Sequence, residues 1–230
     1  MLVKNWMSKK VISIDADDSM EDAMGLLKEH GIRRLPVMKN GKLVGIVTDR
    51  DLKNASASDA TTLEIHELLY LLTKVKVKDI MTKDPITVPP DYTVEETAQV
   101  LLESKISGAP VADESGKVVG IITQSDLFRV LMSLTGIENG GIQFGLQVED
   151  RAGSIKEVAD FVRIYGGRMV SILTSYDDVA AGYRKVYIRM HSVDMEKIKE
   201  LNDSLSEKAL LLYRIDHRQN DRRIYSENMT

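Results

Sequence analysis

The stretch Gly45-Ile46-Val47-Thr48-Asp49-Arg50-Asp51 returns as Gly120-Ile121-Ile122-Thr123-Gln124-Ser125-Asp126. Each is a glycine, two β-branched residues, a threonine, and an aspartate three positions further on. Working outward, an offset of 74 pairs Val3 with Val77, Met7 with Met81, Ile12 with Ile86, and Asp17 with Asp91. The same offset pairs Leu27 with Leu101, Ile32 with Ile106, Pro36 with Pro110 and Val37 with Val111. One extra residue in the second copy's turn moves the offset to 75, which aligns Gly41 with Gly116 and Asp51 with Asp126. A repeat of this length is one module built twice.

Both copies have the same local pattern. A short extended run (VISI, PITV) leads to an acidic turn, where Ser19 with Asp22 and Thr93 with Glu96 have capping-box spacing. An apolar-periodic helix follows, ending near Gly31 and Lys105. Two strands then flank a glycine-containing turn, RLPVMKNGKLVGIVT and GAPVADESGKVVGIIT, as hairpins. A second helix is expected to begin at Asp51 and at Asp126. Residues 63–75 (LEIHELLYLLTKV) form an apolar connecting helix. After Gly141 a third region reads strand, amphipathic helix, two strands, helix, strand, which is the ferredoxin-like βαββαβ order. The expected organisation is α+β: copies at 1–62 and 77–135, the connector at 63–76, a third domain at 141–216, and a polar, arginine-rich tail at 217–230.

Composition narrows the chemistry. In 230 residues, 31 basic side chains face 35 acidic ones, and cysteine is absent. There is no global attraction for polyanions, and no thiolate nucleophile, cysteine-held zinc or iron–sulfur cluster. No apolar run reaches the roughly 18–20 residues of a membrane span, and the lysines of the amino terminus have no apolar stretch behind them. The expectation is a cytoplasmic protein that does not engage membranes. His66-Glu67-Leu68-Leu69-Tyr70 has tyrosine where a zinc helix needs its second histidine, and the four histidines lack ligand spacing. There is no P-loop, dinucleotide fingerprint or nucleophile elbow. Neither a catalytic set nor a metal site is expected, so the chain does not read as an enzyme.

The two Gly-aliphatic-aliphatic-Thr-x-x-Asp segments, the preceding Pro-Val strands and Asp79-Ile80-Met81-Thr82 with Pro85-Ile86-Thr87-Val88 resemble a tandem cystathionine-β-synthase (CBS) domain pair. Glu149-Asp150-Arg151-Ala152-Gly153-Ser154-Ile155, a turn between strand and helix, makes the third region resemble an ACT domain. The order of the parts is similar to bacterial acetoin-utilisation-type CBS–ACT proteins.

The CBS resemblance implies a pseudo-twofold pair that binds an adenine nucleotide between its copies: AMP, ADP, ATP or S-adenosylmethionine. It implies two clefts, each joining the first strand of one copy to the motif of the other. Thr82 and Thr87 would join Arg33, Arg34, Thr48 and Asp51, while Ser8 and Ser13 would join Ser107, Gly108, Thr123 and Asp126. The aspartates suit a ribose diol, the threonines suit sugar or phosphate oxygens, and Ile12 and Ile86 suit the adenine face. Guanidinium forks fit phosphate, and Arg33-Arg34 is replaced by Ser107-Gly108 in the second copy. One tight site using Arg33/Arg34 and a weaker or empty one are therefore expected.

Other roles compete. Asp51 and Asp126 also fit helix capping, and Arg33 and Arg34 also fit a solvated edge. Asp150 and Gly153 fit either a plain turn or an amino-acid site, since the ACT resemblance implies amino-acid sensing or dimerisation. The functional expectation is a homodimeric, non-catalytic sensor with an unidentified target protein. The alternatives are an adaptor that binds no nucleotide, or a nucleic-acid-binding regulator using Arg214–Arg223. That last segment has four arginines diluted by Asp216 and Asp221, so nucleic acid is not the expected partner.

Overall fold

A computed structural model of the chain describes residues 1–59, 73–193 and 195–225. The chain divides into two compact units, Met1–Phe128 and Arg129–Thr230. The expected connecting helix at 63–75 lies almost wholly outside the described residues, as do His66 and Tyr70.

In the first unit the leading copy runs β1 (Ile14–Asp15), α1 (Met20–His30), β2 (Arg34–Lys39), β3 (Lys42–Thr48) and α2 (Asp49–Asp59). The second contributes α3 (Val77–Ile80), β4 (Thr82–Lys83), α4 (Val94–Glu103), β5 (Gly108–Ala112), β6 (Val118–Thr123) and α5 (Gln124–Thr135), within which the division into units falls. Both capping boxes are formed: Ser19 with Asp22 and Thr93 with Glu96 each exchange two bonds at the helix start. Each satisfies two backbone donors that would otherwise lack a partner, which fixes the entry into the helix.

The copies exchange their leading segments. Ile14 pairs in parallel with Val37, and Val88 with Val111, so each first strand lies on its own hairpin. The segment before that strand crosses over. Thr82 pairs with Ile46 of the first copy, and Ser8 pairs with Ile121 of the second. The cores follow the crossing. Val77 is buried with Met20, Leu35 and Val47 of the first copy, and Val3 with Leu101, Val111 and Ile122 of the second. Every one of these pairings maps onto its counterpart through the repeat offset.

The second unit comprises β7 (Ile142–Glu149), α6 (Ser154–Ile164), β8 (Arg168–Ser175), β9 (Tyr183–His191), α7 (Ile198–Lys208), β10 (Leu210–Asp216) and β11 (Asp221–Ile224). Its sheet order is β11-β10-β7-β9-β8, with the described neighbours antiparallel. Leaving out β11, that is the 4-1-3-2 order of a ferredoxin-like fold. Phe144, Leu146, Ile188 and Met190 line one sheet face and share a core with Val158, Val162, Leu201 and Leu205 of the two helices. The segment expected as a tail turns back after His217, and Asp221–Ile224 adds an edge strand. Tyr213 pairs with Ile224 and Asp216 with Asp221, and Arg214 forms an ion pair with Asp221. No helix among the described residues is long and apolar enough to cross a membrane.

Candidate functional site

The repeated motif builds the start of a helix. α2 begins at Asp49 and α5 at Gln124, two residues ahead of the expected starts, because the threonine is the capping residue. Thr48 N–H donates to Asp51 Oδ2 at 2.9 Å and the Thr48 hydroxyl donates to the same oxygen at 2.6 Å. Asp51 N–H reaches back to Thr48 Oγ1 at 3.4 Å. In the second copy Thr123 N–H and its hydroxyl donate to Asp126 Oδ2 at 2.8 and 2.6 Å. The capping role is therefore real, and it commits one carboxylate oxygen. Capping does not exhaust a carboxylate, because each has two oxygens with two lone pairs apiece.

The glycine that opens each motif admits the crossing segment. A side chain at Gly45 would strike the Met81 side chain and lie 3.0 Å from the Thr82 carbonyl oxygen. One at Gly120 would strike Met7 and lie 3.1 Å from the Ser8 carbonyl oxygen. Thr82 and Ser8 thereby pair with Ile46 and Ile121, two positions before Thr48 and Thr123. The sequence reading did not assign Met7 and Met81 to the site; their signal was the repeat itself, which aligns them with each other.

The remaining expected residues divide between the clefts. Thr87 and Ser13 are exposed, next to Val88 and Ile14 on their own copies' hairpins. Ile86 is 44% exposed, which leaves an apolar surface available to a flat ring. Ile12 is half-buried against the first copy's core. Arg33 is exposed and lines a groove of about 620 Å³ between α1 and α2, with Met24, Leu27, Ile32 and Leu52. Neither Thr48 nor Asp51 lines that groove.

Arg34 goes to the other copy. Its Nη2 donates to Ser107 Oγ at 2.8 Å. Its guanidinium also fills the space where a Gly108 side chain would stand. Burial lowers its pKa from the ordinary arginine value, while Asp49 and Asp126 favour the charged form. Asp126 is 2% exposed, whereas Asp51 is half-exposed. Arg34 thus lies between the two motifs, its backbone paired with Thr48 of its own copy and its guanidinium on Ser107 of the other, while the two aspartates differ in exposure.

In the second unit, Asp150 pairs with Arg184 Nε at 3.5 Å and accepts from the Tyr176 hydroxyl at 3.4 Å. Gly153 caps α6 with φ +90°. A cavity of about 420 Å³ lies nearby, lined by Gln147, Glu149, Arg151, Ser154, Glu157 and Lys208 among others; Asp150 and Gly153 do not line it. Arg151 is tied to Glu157 by two hydrogen bonds and to Glu149 by one. Among the described residues no cluster of His, Cys, Asp or Glu could hold a metal ion.

Comparison with known proteins agrees with this architecture. A profile of the CBS domain matches residues 3–58 and 77–133. A CBS domain-containing protein of Dictyostelium discoideum is 36% identical over 135 residues, covering 58% of this chain and 93% of that protein. An inosine-5′-monophosphate dehydrogenase of Korarchaeum cryptofilum is 42% identical over 125 residues, but these span 54% of this chain and only 23% of the enzyme. Among solved structures, a protein described as an acetoin utilization protein (AcuB) from Vibrio cholerae is 26% identical with TM-score 0.50, covering 60% of this chain and 96% of that one. The CBS domain pair of protein MJ0100, solved in complex with 5′-methylthioadenosine and S-adenosyl-L-methionine, is 34% identical with TM-score 0.49, covering 57% and 99%. The paired motifs, the exchanged segments and the near-complete match to the Dictyostelium protein place this chain in the CBS domain family.

Proposed function

We propose that the chain is a non-catalytic regulator that binds an adenosyl nucleotide in its CBS pair. The observation that carries the reading is the first cleft. Thr48 and Asp51 are held rigidly at a helix start, with the Thr82 segment drawn in beside them by Gly45. Asp51 Oδ2 is fixed by the cap, so the carboxylate is already oriented when it meets a ribose diol. The first turn of α2 adds the partial positive charge of a helix amino terminus. Ile86 offers an exposed apolar surface for the base.

On this reading the second unit is an ACT-like domain that dimerises the protein or senses an amino acid through the turn at Asp150 and Gly153. The whole acts as a cytoplasmic homodimer on a target protein. The nucleic-acid alternative is the less favoured one. Within Arg214–Arg223, Arg218 pairs with Asp216, while Arg214 and Arg223 both face Asp221, which neutralises much of the field a polyanion would meet.

A thermal-shift panel tests the proposal, with AMP, ADP, ATP, S-adenosylmethionine and free amino acids as probes. A ligand at about 100 times its dissociation constant stabilises the fold by about 2.7 kcal/mol. The reading expects a clear rise in melting temperature with at least one adenosyl probe, diminished in Asp51→Asn. A folded protein indifferent to all four adenosyl probes would identify an adaptor instead.

A further inference from the structure

The repeat sets the outer helix face of one copy against that of the other. In the first copy, the groove of about 620 Å³ between α1 and α2 has apolar side chains along it and the exposed Lys28 and Lys53 beside them. Gly25 also lines it, in the middle of α1, and no described atom stands within 4 Å of where its side-chain carbon would be. A glycine weakens a helix interior, and this one has no packing reason within the described chain; its effect is to keep the groove open. The second copy has the opposite relief. The apolar Leu27, Ile32 and Leu52 remain apolar as Leu101, Ile106 and Leu127, but Gly25 becomes Gln99, Lys28 becomes Leu102 and Lys53 becomes Phe128. Leu102 is 73% exposed and Phe128 63%, more than any other large apolar side chain described in the first unit. Arg33 and Asp49 likewise become Ser107 and Gln124, so that of the charges along the groove only Glu21 has a charged counterpart, Glu95.

From this asymmetry we infer that the first unit pairs with a second copy of the chain, Leu102 and Phe128 of each entering the α1–α2 groove of the other. Single exposed apolar side chains are ordinary on a protein surface, whereas a contiguous apolar patch marks a contact. Lys28 and Lys53 line one groove from two helices, so their counterparts Leu102 and Phe128 hold equivalent places on α4 and α5. One chain thus carries an open groove and, at the place the repeat makes equivalent, two apolar side chains without cover. A groove-to-protrusion contact made twice about a dyad serves both and closes at two chains. Pairing like with like instead brings the lysines of two grooves together, and like charges across an interface oppose association. The pairing is additional to the dimer contact proposed for the second unit and does not depend on a nucleotide.

The chain has no cysteine, so introduced thiols report position without background. Full-length chains carrying Lys53→Cys, at the groove, are mixed with chains of different mass carrying Gln124→Cys, one turn before Phe128 on α5, and treated with a short bismaleimide. The expected product is a covalent pair of unlike chains, in excess of either pair of like chains and going no further than two. Chains carrying Lys42→Cys, which does not line the groove, set the background of chance collision. Adding Leu102→Lys and Phe128→Lys to the Gln124→Cys chain gives the second copy the residues the first has at those places. That change should cut the unlike pair about tenfold or more; both positions are exposed, so the fold, checked by circular dichroism, is kept. Like pairs predominating, unlike pairs no commoner than the Lys42→Cys background, or a yield unmoved by the two lysines would each overturn the pairing and leave the nucleotide reading untouched.

Discussion

Val3→Ala tests the exchange of segments on which the clefts depend. Val3 lies ahead of the first strand and first helix of its own copy, where an unanchored residue would cost nothing to truncate. Instead it is fully buried in the second copy's core, and its N–H donates to the Tyr92 carbonyl at 2.9 Å. Truncation removes two buried carbons, worth about 0.8 kcal/mol each in transfer, and leaves a cavity that relaxes only in part. The expected loss is about 2–3 kcal/mol, or roughly 6–12 °C in melting temperature for a unit of this size. Trp6, the chain's one tryptophan, packs on the same cluster and reports the transition by fluorescence. Hydrogen exchange should show the amides of β5 and β6 losing protection before those of β2 and β3. Val77→Ala should reverse the order, since Val77 is fully buried in the first copy's core. A loss below about 0.5 kcal/mol for Val3→Ala, or faster exchange in β2 and β3, would refute the exchanged arrangement.

Three further outcomes follow from the same contacts. Asp51→Ala removes a helix cap and should cost about 1 kcal/mol in chemical denaturation, while Asp126→Ala, at a buried carboxylate within electrostatic reach of Arg34, should cost about 3 kcal/mol; equal losses would contradict the difference in burial of the two aspartates. Gly45→Ala should destabilise by about 1–3 kcal/mol through its collision with Met81, whereas Gly25→Ala, inside α1 with no atom within 4 Å of the added carbon, should stabilise by up to about 1 kcal/mol. His217 is held below its ordinary pKa, first by burial and then by Arg189 and Arg222, with Asp216 opposing. Its contribution to stability is therefore complete above about pH 6.5 and declines as the pH falls through the lowered folded value. Melting curves between pH 7.5 and 5 should show a loss that His217→Gln lacks.

The local rules of the sequence carried much of this structure. The capping boxes at Ser19 and Thr93, the two hairpins and the βαββαβ order of the second unit each depend on residues close together in the chain, where propensity and periodicity act directly. The role of Asp51 and Asp126 was legible only as a choice, because a helix cap and a ribose acceptor need the same residue at the same spacing. The strand at Asp221–Ile224 had no apolar alternation to announce it. It is held by pairing with β10 and by the Arg214–Asp221 ion pair, both made across a turn. The destination of Arg34 was beyond local reasoning. Arg33 and Arg34 are chemically identical neighbours at the start of a strand, and successive residues there point to opposite faces. Only the packing of the two copies decides that one lies in solvent and the other against Ser107.

The central claim is that an adenosyl ligand sits where the motif of the first copy meets the crossing segment of the second. Hydrogen exchange of the full chain with and without saturating AMP or S-adenosylmethionine tests this most directly. The account predicts added protection concentrated at residues 45–51 and 81–83. Protection confined to the second unit, or none at residues 45–51 under conditions where a ligand is bound, would contradict it.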